Sequence, residues 1–540
     1  MQPPDLDRFS SRRSTVYGQR GVVATSQPLA AQAGVSVLAD GGNAFDAAVA
    51  TAAALNVVEP TSTGLGGDVF ALYRTADGDV GAMRACGPAP ENTTLERVRA
   101  AVADDRGVAP EDAEMPETGP HTVTVPGTAR GWEATADRFG EKGLAALLQP
   151  AIRYATEGFP VSEVVAAQWE HAEDRFEHDN ARDAYLVDGS APAVGDTVRL
   201  PELGASLRRV ADEGADVVYE GDVAQAIADE VQARGGFLTV DDLAAFEVEW
   251  PDPVSTTYGG AEVFELPPNN QGVVALEALN VAEAVGAGDH PLDSPERVHY
   301  FAEATKLAFR DGHRYVTDPD FEAHPPLAST AWAERRAAEV GETCNDDASF
   351  GVPGADAEDA DTVLLCVADD DGNLVSYINS RFAGFGSGLV AGDTGIALQN
   401  RGSSFSLDPE HPNRLEPGKR PFHTLIPAVA RLAEDDWLAF GVMGGYMQPQ
   451  GHVQVVSNVV DYGLPLQAAL DRPRWRYRED GSLAVEPHFD SHVAAKLARR
   501  GHDVRTLTPD LFGGAQVVRN DAGTLSAATD PRKDGNAQGY

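Results

Sequence analysis

Between Gly21 and Arg74 short apolar runs alternate with glycine-rich breaks. GVVAT (21–25) is a continuous apolar run of strand length. PLAAQAGVSVLADGG (28–42) has helical spacing, with proline at its start and Gly41-Gly42 as its stop. FDAAVATAAALNVVEP (45–60) is apolar on every side, so this helix belongs inside a core; it stops before Pro60. TSTGLGGDVFALYR (61–74) reads as a glycine-rich turn feeding a strand.

Residues 1–20 are polar and are expected to trail over the surface, and the acidic stretch 91–118 reads as an exposed excursion. HTVTVPGTARGWEATADRFG (121–140) predicts a strand, a Pro-Gly turn and a helix. QPAIRYATEGFPVS (149–162) is a helix with a proline stop, and 200–250 are mainly helical, closing at GGFLTVDDLAAF. STTYGGAEVFELPPNNQG (255–272) is a hairpin followed by a loop. Ser294-Pro295-Glu296 supplies a cap, a first-turn proline and an acid near the dipole for a helix that ends near Asp318-Pro319-Asp320. Residues 343–361 are acidic without apolar period and are expected to form an exposed, mobile loop. TVLLCVA (362–368), DDDGN and LVSYINS (374–380) then make a β-hairpin whose first residue is Thr362. DSHVAAKLARRG (490–501) is a further helix.

The chain's 540 residues exceed one ordinary domain, so it is either several small domains or one large intertwined core. Charge changes the picture more: 84 acidic against 42 basic residues give a formal net charge of -42, and only five of the basic residues are lysines. Acids spread along the whole chain, with Arg in place of Lys, read as adaptation to molar salt, where counterions screen self-repulsion. The alternative is an acidic protein in ordinary cytoplasm. Either way nucleic acid is a poor partner, because phosphate binding needs clustered Lys/Arg. Cys86, Cys344 and Cys366 lie far apart without C-x-x-C spacing, so neither a zinc site nor a disulfide framework is expected, and no cofactor is implied. The first 21 residues hold no apolar run of signal-peptide type, and no stretch approaches ~18 apolar residues. A soluble, cytoplasmic protein without a membrane partner is expected.

Thr362 is the candidate for chemistry. A threonine hydroxyl is a weak nucleophile without an adjacent base, and a chain's own N-terminal amine can be that base. Cutting before Thr362 would place the amine about 3 Å from the hydroxyl. Threonine also simply favours strand starts, and on periodicity alone that reading prevails. The surrounding residues reverse it. DTVLLCVADDDGNLVSYINSRFAGFGSGLVAGDTGIALQNRG, PGKRPFHTLIPAVA and GVMGGYMQPQGHVQVVSNVVDYGLPLQAALDRPRWR resemble the small subunit of the gamma-glutamyltransferase family. GGNAFDAAVATAAALNVVEPTSTGLGGDVFAL, VPGTARGWEATADRFG, LLQPAIRYATEGFPVS and KLAFRDGHRYVTDPDF resemble its large subunit, in the same order, from about Gly21 to about Arg505.

The resemblance implies a four-layer αββα N-terminal nucleophile hydrolase sandwich with antiparallel sheets. It implies a precursor that cleaves itself between Asp361 and Thr362 into a large subunit 1–361 and a small subunit 362–540, wound together as a heterodimer. In that scheme Thr362 forms an acyl-enzyme, Gly444-Gly445 donate backbone N–H groups to the oxyanion, and Ser380 supports the nucleophile. Thr424 keeps a hydroxyl at the second of two substrate-holding positions. His423 occupies the first, where it either titrates near neutrality or serves as a satisfied pocket wall.

Departures from the family pattern concern the donor. Cys86 stands where the family carries the arginine that grips the donor carboxylate. Arg84, two residues earlier and on the same strand face, is either a partial substitute or a surface arginine. Phe382 replaces an asparagine, Ser404 the aspartate that binds the donor amine, and Val363 a threonine. Losing both charged anchors weakens selection of a zwitterionic donor, since charge-assisted bonds contribute roughly 1.5–3 kcal/mol each. The leading expectation is therefore a gamma-glutamyltransferase-type hydrolase or transferase of small amides. The alternatives are an acylase for another acyl group, with Phe382 and Val363 making the pocket more apolar, and a non-catalytic member that does not mature.

Overall fold

The computed structural model describes residues 13–345 and 360–540. Most of the acidic segment 343–361 thus lies outside the described residues. Two antiparallel sheets form the centre. The seven-stranded sheet runs, edge to edge, Val16–Gly18, Thr524–Thr529, Gly514–Asp521, Asp436–Met443, Ala428–Ala433, Ala261–Glu265 and Val254–Tyr258. The six-stranded sheet runs Asn536–Gly539, Gly21–Thr25, Ala360–Asp369, Leu374–Ala383, Asp68–Arg74 and Val80–Ala85.

Three apolar clusters define four layers. Leu364, Cys366, Ala368 and Ile378 of the six-stranded sheet meet Val429, Ala439, Val518 and Ala527 of the seven-stranded sheet. The alternate residues Val363, Leu365 and Val367 point the other way, into a cluster with the alanine-rich helix Ala44–Val58. Phe440, Val442 and Val517 point outward from the seven-stranded sheet against helices Gly272–Ala284, Pro295–Tyr315 and Met447–Val460. This is the αββα sandwich with antiparallel sheets that the sequence implies.

The helix Ala44–Val58 is buried along its whole length, as its all-round apolar composition requires. Asn43 caps it in a capping box with Asp46, whose carboxylate also takes the N–H groups of Glu141 and Lys142. Ser294 caps Pro295–Tyr315 by accepting from the Arg297 N–H.

Residues on either side of position 362 interleave in both sheets. Ala360–Asp369 pairs with Gly21–Thr25, Leu374–Ala383 with Asp68–Arg74, and Ala428–Ala433 with Ala261–Glu265. No chain separation at 362 could therefore leave two independent cores.

Three expectations are corrected. Residues 16–18 do not trail; they pair with Leu525–Ala527. The stretch 91–118 contains a helix, Leu95–Arg106, capped by Thr94, and Val98, Val102 and Ala103 pack against Phe405, Leu407 and Leu415. Its surface charge conceals a narrow apolar stripe. No strand forms at 121–125. Val125 exchanges single hydrogen bonds with Gly87 and Pro88, and Pro88 and Pro126 lack the N–H groups that would extend a ladder. Among the described residues no helix is long and apolar enough to cross a membrane.

Candidate active site

Thr362 lies within the strand Ala360–Asp369, on the face that looks toward the seven-stranded sheet, and is buried. Register with Leu374–Ala383 is regular down to Val363 against Asn379, then shifts so that the next pair is Asp361 against Phe382. Ser380 and Arg381 together therefore oppose Thr362, a bulge of two residues against one. The bulge brings the Thr362 and Ser380 hydroxyl oxygens to 3.5 Å. Ser380 Oγ also accepts the N–H of Phe382 at 2.7 Å.

Phe382 has φ +84, a left-handed conformation that costs an aromatic residue energy. Its neighbours hold it there. Ala383 N donates to Asn400 Oδ1 at 3.1 Å, Asn400 N to the Arg381 carbonyl at 3.2 Å, and Arg381 N to the Ser62 carbonyl at 3.2 Å.

Ser380 is also the register partner of Asp68 on its other side. The preceding Gly67 allows that approach, since a Cβ there would lie 2.5 Å from the Ser380 carbonyl oxygen. Asp68 is wholly buried, and its Oδ1 accepts Gln399 Nε2 at 3.0 Å. His423 Nδ1 accepts the Leu425 N–H at 3.2 Å, so its Nε2 carries the proton that Asp68 Oδ2 receives at 3.1 Å. Burial raises the Asp68 carboxyl to about 7 against the pull of Arg401 and Gln399. Burial, with the nearby Arg401 and Arg84 charges, keeps His423 neutral.

Arg401 is also wholly buried. Its Nη1 donates to Thr424 Oγ1 at 2.9 Å, and its guanidinium lies 4.4 Å above the Phe382 ring centroid. Loss of hydration lowers it to about 10, partly countered by Asp68. It remains a cation at neutral pH. Ser404, at the other end of the same helical turn, is partly buried, and its carbonyl accepts Asn413 Nδ2 at 2.7 Å.

Gly444 (φ +115) and Gly445 (φ +57) join Asp436–Met443 to the buried helix Met447–Val460. Their carbonyls accept the first helical N–H groups, from Met447 and Gln448. The pair thus sits at the positive end of the helix dipole, where backbone N–H groups favour a developing negative charge. Gln271 Nε2 ties this turn to the other wall, donating to the Gly445 carbonyl at 3.0 Å and the Thr424 carbonyl at 2.7 Å. Behind it, His452 Nε2 accepts the Val442 N–H at 3.2 Å and Nδ1 donates to Glu265 at 2.6 Å. Burial lowers His452 to about 3 and raises Glu265 well above the usual range.

Arg84 is not a surface arginine. It is buried, and its guanidinium donates to Glu249 at 3.1 Å and to the Pro267 and Pro268 carbonyls at 2.9 and 2.7 Å. Cys86 lines a cavity of about 660 Å³ together with Glu249, Asp318, Asp320 and Arg420. Arg420 is held by Asp318 at 2.8 Å, Asp320 at 2.5 Å and Glu249. Val363 faces the helix layer, away from Thr362, so it does not line this region.

Thr362, Ser380, His423 and Thr424 are thus linked in one buried network, and Gln271 joins Gly444-Gly445 to it. Asp68, Gln271, Gln399 and Arg401 are members that sequence reasoning missed. Asp68 and Arg401 stand in the quoted GLGGDVF and LQNRG segments; for Asp68 a charge beside an apolar run was the available signal, and Arg401 among polar neighbours offered none. Among the described residues one cluster could hold a metal ion, His299, Glu303 and His502. It lies in the outer helix layer, where His299 and His502 bond each other at 2.8 Å and Lys306 binds Glu303 at 3.0 Å.

Comparison with known proteins adds four likenesses. The gamma-glutamyltranspeptidase family model matches residues 30–540. The chain is 38% identical to a glutathione hydrolase-like YwrD proenzyme of Bacillus subtilis, over 97% of this chain and 99% of that protein. It is 37% identical to an oxamate amidohydrolase proenzyme of Klebsiella pneumoniae, over 98% and 100%. Among solved structures, a cephalosporin acylase from Bacillus halodurans superposes with a TM-score of 0.89 at 42% identity, covering 100% of this chain and 99% of that one.

Proposed function

The chain belongs to the gamma-glutamyltranspeptidase family of enzymes, and from that premise we propose that it is a self-processing amidohydrolase or acyltransferase with Thr362 as nucleophile. The observation that carries the reading is the two-against-one bulge that sets the Thr362 hydroxyl 3.5 Å from Ser380.

In self-cleavage, Thr362 Oγ attacks the carbonyl carbon of Asp361 and the acyl group passes from nitrogen to oxygen. Water then hydrolyses the ester, leaving a carboxylate on Asp361 and a free amine on Thr362. The products are 1–361 and 362–540, held together by the shared sheets as a heterodimer. In turnover the new amine takes the hydroxyl proton as Oγ attacks a substrate amide. The N–H groups at Gly444-Gly445 stabilise the oxyanion, and the departing amine leaves with the proton. Water, or an acceptor amine, releases the acyl group and restores the hydroxyl.

A gamma-glutamyl donor is the first candidate. A specific observation favours the acylase reading instead. Cys86 and Ser404 carry no charge, and Arg84 is committed to Glu249 and two carbonyls, so neither charged end of a zwitterion has its expected partner. The relatives, named for glutathione, oxamate and cephalosporin, support a shared reaction with variable donors.

The test compares hydrolysis of gamma-glutamyl and glutaryl anilides, which differ by the amine. Thr362→Ala should abolish both self-cleavage and turnover. A Thr362→Ala protein that still hydrolyses either anilide would remove Thr362 from the chemistry. The net charge of -42 supports a further reading, that the protein works in concentrated salt.

A further inference from the structure

Arg401 carries an unmet binding capacity. Burying a guanidinium is costly unless it is paired and its N–H groups are satisfied. Here Nη1 has Thr424, but Nε and Nη2 are buried without a hydrogen-bond partner among the described residues. Several buried arginines lack a partner for Nε alone; Arg401 lacks one for both. Nε–H and Nη2–H form one complete edge of the guanidinium fork, the edge whose spacing matches the two oxygens of a carboxylate.

Asp68 does not fill this role. It acts on Arg401 through space, but the two form no ion pair, and the Asp68 oxygens are taken by Gln399 and His423. With its carboxyl raised to about 7, Asp68 is also only partly charged at neutral pH.

Arg401 adjoins the residues around Thr362. Arg401 lies over the ring of Phe382, whose N–H holds Ser380 beside Thr362. On the other side it holds Thr424, whose carbonyl shares Gln271 with the Gly445 carbonyl. In the uncut chain the two residues before Thr362 occupy the strand edge at Phe382 and Ala383. Once cut, they are free to leave that edge, which is where a donor's acyl group must lie to reach the Thr362 hydroxyl.

We propose that Arg401 is the residue that selects the donor, by binding through its Nε/Nη2 edge a carboxylate on the acyl side of the scissile amide. The preferred donor is then the monoamide of a short dicarboxylic acid without an amine. An ammonium on the acyl chain would meet the Arg401 cation, with the uncharged Ser404 nearby in place of an acid. This inference rests on the amidohydrolase reading above.

The test uses the matured protein and four p-nitroanilides: succinyl, glutaryl, gamma-glutamyl and the neutral butyryl. The dicarboxylic donors should exceed both others in kcat/KM by about a hundredfold, the scale of one charge-assisted bidentate contact. In Arg401→Ala the glutaryl-to-butyryl ratio should collapse toward one, and Arg401→Lys should retain part of it. If Arg401→Ala does not self-cleave, inhibition of the native enzyme decides. Free glutarate should compete far better than its dimethyl ester, which offers no carboxylate, and equal inhibition would overturn the proposal. Glutaryl and butyryl donors cleaved at similar rates, or a ratio unchanged by Arg401→Ala, would refute the role of Arg401 while leaving the amidohydrolase reading intact. An uncut chain that turns over none of the four would remove both.

Discussion

Thr362 and Ser380 face each other across a bulge in which two residues oppose one, their hydroxyl oxygens 3.5 Å apart. Ser380 is itself fixed by the N–H of Phe382, so the contact depends on a backbone held in a left-handed conformation. Ser380→Ala removes the acceptor for that buried N–H and the partner of the proposed nucleophile. Leaving a buried donor unmet costs about 1–3 kcal/mol, or roughly ten- to a hundredfold in rate if it falls on the transition state. Self-cleavage, followed on gels, and kcat/KM should both fall by that factor, and Ser380→Thr should recover most of it. Equal rates for Ala and Thr would show that the hydroxyl contributes nothing.

Gly444 and Gly463 both have positive φ, at +115 and +58, but only Gly444 belongs to the proposed oxyanion turn. At Gly463 an added Cβ meets nothing within 4 Å, whereas at Gly444 it lies 3.2 Å from Gly513 Cα. Gly463→Ala should cost about 1 kcal/mol of stability through its backbone alone and leave kcat/KM near the native value. Gly444→Ala should lower kcat by about 10²–10³, the scale of one lost oxyanion donor. Denaturant melts with parallel kinetics separate the two effects. A Gly444→Ala enzyme with native kcat would place the oxyanion elsewhere.

Asp68 sets a pH dependence with a defined sign. Below pH 3.8 its carboxyl is protonated whether folded or not. Between 3.8 and about 7 the unfolded chain ionises first, so the folded state holds more protons and stability falls as pH rises. Above about 7 the penalty is constant. His423, kept neutral by burial, acts in the opposite sense over part of this range, so the readout is a difference. Asp68→Asn should lose less stability than the native protein between pH 4 and 7 in urea titrations. Parallel pH profiles for the two would mean that Asp68 is ionised in the fold.

Salt supplies another test. A net charge of -42 should make the unfolding midpoint rise between about 0.1 and 2 M KCl as surface repulsion is screened. Thermal melts at several salt concentrations measure it; a midpoint independent of salt would argue for an ordinary cytoplasmic setting.

Much of the fold was legible because its signals are local. The all-round apolar run at 45–58 could only be a core helix, and DDDGN between two apolar runs could only be a tight hairpin. Local signals also misled. Charges on Leu95–Arg106 outnumber its buried Val98 and Val102, and prolines stopped a ladder where TVTV suggested a strand. Thr362 and Gly444-Gly445, the proposed nucleophile and oxyanion turn, were singled out through their motifs. Arg401 and Asp68 were not, because their significance depends on burial and on partners hundreds of residues away, such as Gln399 for Asp68. Arg84 shows the same limit. Strand spacing placed it on the correct face, but Glu249 and the Pro267 and Pro268 carbonyls, which claim its guanidinium, come from distant loops.

The most direct test of the central claim is the intact mass of the purified protein, kept in concentrated salt, beside its Thr362→Ala variant. The native protein should give two chains, the smaller starting at Thr362, and the variant a single uncut chain. A native protein that stays whole, or a cut at any other bond, would contradict the account.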